Sequence, residues 1–270
     1  MSLPQVPFDD RGLAYGDGLF ETVLVRYGEP LLWEYHMQRL RRGCQVLDMA
    51  EPSRESLDAT LEEVQGELAV LKLVVTRGSG GRGYARPAIA QPRLLSHWTP
   101  FSTSPQRWRE GVRVRVCHLR LGRQPRLAGI KHLNRLENVL ARGEWDRVDI
   151  DEGLMADQNG QMIEATSMNL FWERNGSFFT SELDTCGVAG TLREALLADN
   201  RVSIAPLDVA DIGGVDSLWL GNSIQGLWPV AELLDADNVP CRRWPSAQRN
   251  RELQTAAHQL LGYPVIATDV

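Results

Sequence analysis

The chain has 270 residues, 43 % of them hydrophobic and 24 % charged, which is ordinary for one large soluble domain or two smaller ones. A net charge of −6 and a pI near 5.5 argue against a dedicated nucleic-acid binder, because neutralising phosphates needs a basic face. No apolar run reaches the roughly 18 residues that span a membrane, so no membrane association is expected. Met1 to Gln5 carries no basic segment followed by an apolar stretch, and the expected compartment is the cytoplasm.

Phe8 to Gly18 is rich in Asp and Gly and reads as turns. Phe20 to Tyr27 alternates polar and apolar residues and predicts a strand. Gly28-Glu-Pro30 is a turn, and Leu31-Leu32 is a candidate partner strand. Trp33 to Leu47 predicts a helix with Met37, Leu40, Cys44 and Leu47 on one apolar face; Arg39 lies off that stripe, where a solvated charge is the plain expectation. Ser53 is placed to cap a second helix whose stripe runs through Leu57, Leu61, Val64 and Leu68.

Ala69 to Thr76 is a strongly apolar strand, followed by Arg77-Gly-Ser-Gly-Gly-Arg-Gly-Tyr84. The glycines match the dinucleotide pattern G-x-G-x-x-G literally, but that function needs a helix directly after them. Here Tyr84-Ala-Arg-Pro87 follows, and the first carboxylate after the loop is Glu110. What remains is a glycine loop bearing Arg77 and Arg82, which either folds over an anion or is an exposed hairpin. Arg93 to Thr99 predicts a strand, and Pro100 to Gln106 a domain boundary.

Gly111 to His118 alternates cleanly and predicts a strand with one buried face. Lys131 then opens a helical pattern through Leu133, Leu136 and Leu140. Lys131 and Lys72 are the two lysines of a chain whose other basic residues are arginine. Lysine can lose its proton and form a covalent bond to a carbonyl, which arginine effectively cannot. A surface lysine at a helix start is the competing reading.

Glu152 to Asp157 and Gln161 to Thr166, joined through Asn159-Gly160, predict a hairpin; Met168 to Glu173 and Ser177 to Thr180 predict another. Glu164 interrupts an apolar run, and it either points outward or meets a cation. Gly190-Thr191 opens a helix reaching Asp199, a place where free backbone N–H groups favour an anion. Leu218 to Ser223 predicts a strand ending in polar residues, and Ser246 to Leu261 a closing amphipathic helix. Cys44, Cys117, Cys186 and Cys241 are scattered and read as small buried hydrophobes. Neither they nor the five histidines show metal-ligand spacing, so no metal is expected.

Taken in order, several segments resemble the motifs of the fold-type IV pyridoxal-phosphate enzymes, the family of branched-chain and D-amino-acid aminotransferases. They are Phe20-Glu-Thr22, His36-Met-Gln-Arg-Leu40, Arg77 to Tyr84, Leu121-Gly-Arg123, Ala128 to Arg135, Glu164 to Phe171 and Gly187 to Arg193. Within that family the chain most resembles the aminodeoxychorismate lyases. The resemblance implies an α/β fold with a small N-terminal α/β domain, residues 1–106. A larger C-terminal mixed-sheet, pseudo-barrel domain, residues 107–270, would carry the cofactor lysine.

It also implies pyridoxal 5′-phosphate as cofactor, held by Lys131 as a Schiff base. Glu164 would sit on the ring nitrogen, with Arg39, the backbone of Thr191 and Leu192, and the Ser223 hydroxyl on the phosphate. The implied substrate is 4-amino-4-deoxychorismate, split to 4-aminobenzoate and pyruvate by a homodimer. Lys131 would shuttle protons, and Thr22, where aminotransferases usually carry Gly, is the candidate to assist the final proton transfer. Arg77, Arg82 and Arg123 are candidates for the substrate carboxylates. An aminotransferase of the same fold and a non-catalytic cofactor-binding protein are the alternatives.

Overall fold

The alternating stretch at Phe20 and the apolar run at Ala69 pair with each other, and the first part of the chain is built around that pair. The computed structural model describes residues 5–245 and 250–266 and resolves into two units. One runs to Ser102 and includes Ile130–Arg135; the other comprises Thr103–Gly129 and the chain from Leu136 onward.

The first unit contains α1 (Arg11–Tyr15), β1 (Gly18–Arg26), β2 (Glu29–Pro30), α2 (Trp33–Leu47), α3 (Arg54–Glu62), β3 (Leu68–Thr76) and β4 (Arg93–Pro100). The strands form an antiparallel sheet in the order β2-β1-β3-β4. Strand alternation puts Leu19, Val23 and Val25 of β1 and Leu71, Leu73 and Val75 of β3 in the core. Met37, Leu40 and Cys44 of α2 and Leu57 of α3 are buried too, which is the stripe the 3.6-residue period predicts. Ser53 caps α3 by accepting from the Ser56 N–H at 3.1 Å. The helix stops at Glu62, however, so Leu68 belongs to β3 and not to a helical stripe.

The second unit contains α4 (Pro105–Glu110), β5 (Val112–Leu121), α5 (Leu136–Arg142), β6 (Glu152–Asp157), β7 (Met162–Ala165), β8 (Asn169–Arg174) and β9 (Ser177–Thr180). It continues with α6 (Thr191–Ala198), β10 (Ser203–Ile204), β11 (Ser217–Asn222), β12 (Gly226–Leu234), β13 (Pro240–Arg243) and α7 (Glu252–Leu260). Its sheet runs β10-β9-β8-β11-β12-β5-β6-β7. A further pairing of β7 with β8, Glu164 opposite Asn169, closes six of these strands into a barrel. Closure removes the exposed strand edges and makes one face of each strand internal. Beside the barrel, Cys117, Leu121, Ala141, Trp145, Ile150, Met155, Ile163, Cys186 and Leu234 form a continuous hydrophobic cluster. Burial raises the Cys117 thiol to about 12 and the Cys186 thiol to about 11, so both behave as hydrophobes. Cys241 departs from that pattern, being exposed on β13.

Further expectations change. Arg11–Tyr15 forms helix α1 where turns were expected, and the partner strand of β1 is Glu29–Pro30, with Leu32 at the start of α2 instead. No helix opens at Lys131: α5 starts at Leu136, and Leu136 and Leu140 are 75 % and 64 % exposed instead of lining a buried stripe. The backbone of residues 131 and 133 is already bonded to β1, so it is unavailable for helical bonds. For the same reason the lysine segment groups with the first unit and not with the chain around it. Of the predicted closing helix, Glu252–Leu260 forms; residues 246–249 lie outside the described residues.

Candidate active site

Residues 130–135 lie against the start of β1 within the first unit. The Phe20 N–H donates to the Lys131 carbonyl at 2.9 Å, and the Leu133 N–H donates to the Gly18 carbonyl at 3.0 Å. Such close approach needs glycine at 18. A Cβ there would come within 2.4 Å of the Val75 carbonyl oxygen and 2.8 Å of the Leu133 side chain. The Lys131 Nζ sits 4.4 Å from the centre of the Phe20 ring. An aromatic face holds a cation without accepting its proton, so this contact places the amine without neutralising it. Thr22 is next along the same face of β1 and pairs in register with Lys72 of β3.

The opposite face of β1 carries Glu21, 1 % exposed. Its Oε1 accepts from Arg39 Nε at 2.8 Å, its Oε2 pairs with a second Arg39 nitrogen, and the same oxygen lies 2.6 Å from His36 Nδ1. Burial works against ionising Glu21, but the Arg39 charge and the hydrogen bonds of Arg39 and His36 outweigh it and take the carboxyl down to about 2. Arg39 is therefore not a solvated helix charge: only 9 % of its side chain is exposed, and Glu21 fixes the direction of its fork. The sequence motifs contain Glu21 and His36, but not the fact that they meet.

Burial lowers the pKa of His36, against a partial opposing pull from Glu21. His132 is taken to about 4 by burial, with Arg135 adding to the effect. Both imidazoles stay neutral in the folded protein over a range where the unfolded chain, with a value near 6.5, takes up protons. Stability should accordingly fall as the pH drops from about 6.5 towards 4. Urea midpoints followed across that range should decrease, and His132→Asn should flatten part of the slope. A flat wild-type profile there would mean that the folded protein protonates both rings at no cost.

The three arginines expected to clamp substrate have different settings. Arg77 is 3 % exposed, with Nε on Asp17, one terminal nitrogen on both Asp17 and the Leu47 carbonyl, and the other on the Asp48 carbonyl. These bonds secure the C-terminus of α2 and engage four of the five N–H donors of Arg77 within the protein. Arg82 is exposed, on a loop held by a residue that sequence reading did not single out. Arg11, 4 % exposed, donates to the carbonyls of Gly80, Gly83, Tyr84 and Ala85 and to Asp17. Arg123, in the second unit, lies 3.6 Å from Asp157 in a small cleft also lined by Glu182 and Asp184. That acidic lining disfavours a carboxylate ligand.

In the second unit Glu164 is 5 % exposed, and every residue of β7 is buried, so it does not point outward. Its Oε2 accepts from the Val188 N–H at 2.8 Å. The Val188 stretch is itself fastened to Gly129, with the Gly129 N–H donating to the Gly187 carbonyl at 2.9 Å and the Ala189 N–H to the Gly129 carbonyl at 3.1 Å. Helix α6 follows with Gly190 as its N-cap and no side-chain cap bond. A Cβ there would fall 1.9 Å from Asn169 Oδ1, so any larger residue would displace the Asn169 side chain. Thr191 and Leu192 of the first turn are 2 % and 1 % exposed, and Ser223 at the end of β11 is 8 % exposed. The Asn222 side chain accepts from the N–H groups of Ile224 and Gln225, which fixes the turn around Ser223.

Residues 18–233 match the amino-transferase class IV family model. The chain belongs to this family. It is 35 % identical to the aminodeoxychorismate lyase of Vibrio harveyi over 246 residues, 87 % of this chain and 91 % of that protein. The crystal structure of 4-amino-4-deoxychorismate lyase from Pseudomonas aeruginosa superposes with a TM-score of 0.87 at 40 % identity, covering 96 % of each chain. A fold IV-transaminase from Curtobacterium pusillum superposes with a TM-score of 0.76 at 26 % identity, covering 97 % of this chain and 91 % of that one.

Class IV enzymes use pyridoxal 5′-phosphate, and the residues present fit it. A buried carboxylate at Glu164 suits a cationic ring nitrogen, since ionised groups are kept inside where they meet an opposite charge. A helix start without a side-chain cap, with the buried Thr191 and Ser223 hydroxyls, is a donor set for a phosphate. No helix among the described residues is long and apolar enough to cross a membrane.

Proposed function

We propose that this class IV enzyme is a lyase that converts 4-amino-4-deoxychorismate to 4-aminobenzoate and pyruvate, supplying a folate precursor as a cytoplasmic homodimer. The observation that carries the reading is the placement of Thr22 on the β1 face that holds Lys131 over Phe20. A hydroxyl there gives a proton route that the glycine usual in the aminotransferases lacks.

When bound, pyridoxal phosphate supplies an electron sink for the carbanion formed next to the substrate nitrogen. Lys131 would hold the cofactor through its aldehyde, and its amine, when not so engaged, would serve as the base. The freed amine removes the proton from the amine-bearing ring carbon. The ether bond at the neighbouring carbon breaks, its electron pair leaving on oxygen with the enolpyruvyl group, and the ring becomes aromatic. The methylene carbon of enolpyruvate gains one proton, so the proton lost by the ring is balanced and no further reactant is required. Thr22 assists that last transfer. Glu164 would keep the ring nitrogen protonated, while Arg39, oriented by Glu21, and the donors at Thr191, Leu192 and Ser223 would hold the phosphate.

The direct test is to add aminodeoxychorismate to the purified enzyme and follow pyruvate with lactate dehydrogenase. Conversion of the cofactor to its pyridoxamine form by simple amino acids, with no pyruvate from aminodeoxychorismate, would favour the aminotransferase reading instead. Thr22→Val removes the hydroxyl and little else. It should slow pyruvate release about a hundredfold while cofactor absorption and amine exchange persist. Lyase and any transaminase side activity falling together would indicate damaged substrate binding, and an unchanged rate would move the proton step to Lys131 or a water.

A further inference from the structure

The two lysines of the chain rest near one aromatic ring. Lys131 Nζ lies 4.4 Å and Lys72 Nζ 5.6 Å from the centre of Phe20, so the two nitrogens are no further apart than those distances laid end to end. Lys72 is exposed, yet its side chain leans along the sheet towards Phe20. Its neighbours Leu71 and Leu73 are fully buried on the other face, so alternation fixes Lys72 on the face of Phe20 and Thr22. The register extends this into a row: Thr22 of β1 pairs with Lys72 of β3, which pairs with His97 of β4. A hydroxyl, an ammonium and an imidazole therefore stand side by side across three strands, next to the ring that holds the reactive amine.

We propose that Lys72 binds the carboxylate of the enolpyruvyl group that leaves, beside the Thr22 hydroxyl. This rests on the lyase reading above and adds a specificity-determining residue to it. In enolpyruvate the methylene carbon, the carboxylate and the departing oxygen are all bonded to one carbon. A hydroxyl placed to protonate the methylene therefore has the carboxylate within reach of its immediate neighbour, and on this sheet the neighbour opposite Thr22 is Lys72. As the ether bond breaks, its electron pair passes to the oxygen on that same carbon. An ammonium on the carboxylate then stabilises the charge that grows in the transition state as well as the charge already present. A compact ammonium suits this single anionic contact, and His97 lies next in the row as a further polar neighbour.

The test compares wild type, Lys72→Met and Lys72→Arg as cofactor-loaded enzymes. Oxalate, a flat dianion resembling the enolate of pyruvate, is the probe for the leaving-group side, and 4-aminobenzoate is the probe for the ring. Lys72→Met should weaken oxalate binding, measured calorimetrically, about tenfold or more, and Lys72→Arg should restore most of it. KM for aminodeoxychorismate should rise in the Met variant, with a smaller fall in kcat. Inhibition by 4-aminobenzoate, cofactor absorption and the urea midpoint should stay near wild type, since Lys72 is exposed and outside the core. Equal oxalate affinity in wild type and Lys72→Met would overturn the assignment, as would a loss confined to 4-aminobenzoate. A wild type that releases no pyruvate defeats the lyase reading and the enolpyruvyl assignment together. Active wild type with Lys72-independent oxalate binding defeats the subsite alone.

Discussion

Lys131→Ala should abolish the visible absorption of the cofactor-loaded protein and reduce turnover by about four orders of magnitude or more. In the role proposed for Lys131 two contributions disappear at once: the covalent anchor and a general base of the kind worth about 10²–10⁴ in rate. The structure supplies an internal control, because Lys72 lies near the same ring and is the remaining lysine. Its backbone is fixed in β3 by pairing with Thr22 and His97, whereas Lys131 sits on a segment bonded to the start of β1. Borohydride reduction of the wild type followed by peptide mapping should tag Lys131. A tag on Lys72, or a coloured and active Lys131→Ala protein, would overturn the assignment. Fold loss is a weak rival explanation, since the backbone bonds of residue 131 do not depend on its side chain. Urea midpoints of the unloaded proteins should therefore agree closely.

Strands β1 and β3 were legible in the sequence because each has a buried face, so apolar and polar residues alternate at Phe20 to Tyr27 and the apolar run at Ala69 is bounded by turns. The helix Trp33–Leu47 was legible to the residue for the matching reason, a stripe at the helical period. Strand β12 carries no such signal: all but one of its nine residues are buried, and Pro229 interrupts it. Its place between β11 and β5 is fixed by barrel closure, a long-range property that no local window contains. The false helix at Lys131 has the same origin. Leucines at 133, 136 and 140 imitate a helical stripe, but the backbone at 131 and 133 is bonded to β1.

Among the site residues, the chemically unusual ones were visible as anomalies, one of two lysines at 131 and a carboxylate in an apolar run at 164. Residues that act by pairing were not. Arg77 reads as a loop arginine beside glycines, and only the fold brings Asp17 and the carbonyls at the end of α2 to its guanidinium. Glu21, His36 and Arg39 each sit in a motif, yet their convergence depends on α2 packing over β1. The row from Thr22 through Lys72 to His97 requires the strand register, which the sequence does not print.

Glu164→Gln should leave the cofactor bound and cut turnover by orders of magnitude. The substitution keeps the shape, and the amide oxygen can go on accepting from the Val188 N–H at the position Oε2 holds now. The amide nitrogen then occupies the other carboxylate position, presenting a donor where a carboxylate accepted. A pyridine nitrogen facing a donor and no negative charge loses its proton near neutral pH, which weakens the electron sink that the carbanion requires. Removing a preorganised charge of this kind is worth roughly 3 kcal/mol or more, about two orders of magnitude in rate. The groups proposed to hold the phosphate, at the start of α6 and at Ser223, are untouched, so the cofactor dissociation constant should change far less than kcat. Spectral titration of the bound cofactor gives the second readout: a ring-protonation change displaced to lower pH in Glu164→Gln supports the pairing. Near-wild-type turnover with an unaltered titration would mean that Glu164 is there only to hold the Val188 turn. Turnover and cofactor affinity lost together would instead point to collapse of the segment that ties Gly187 and Ala189 to Gly129.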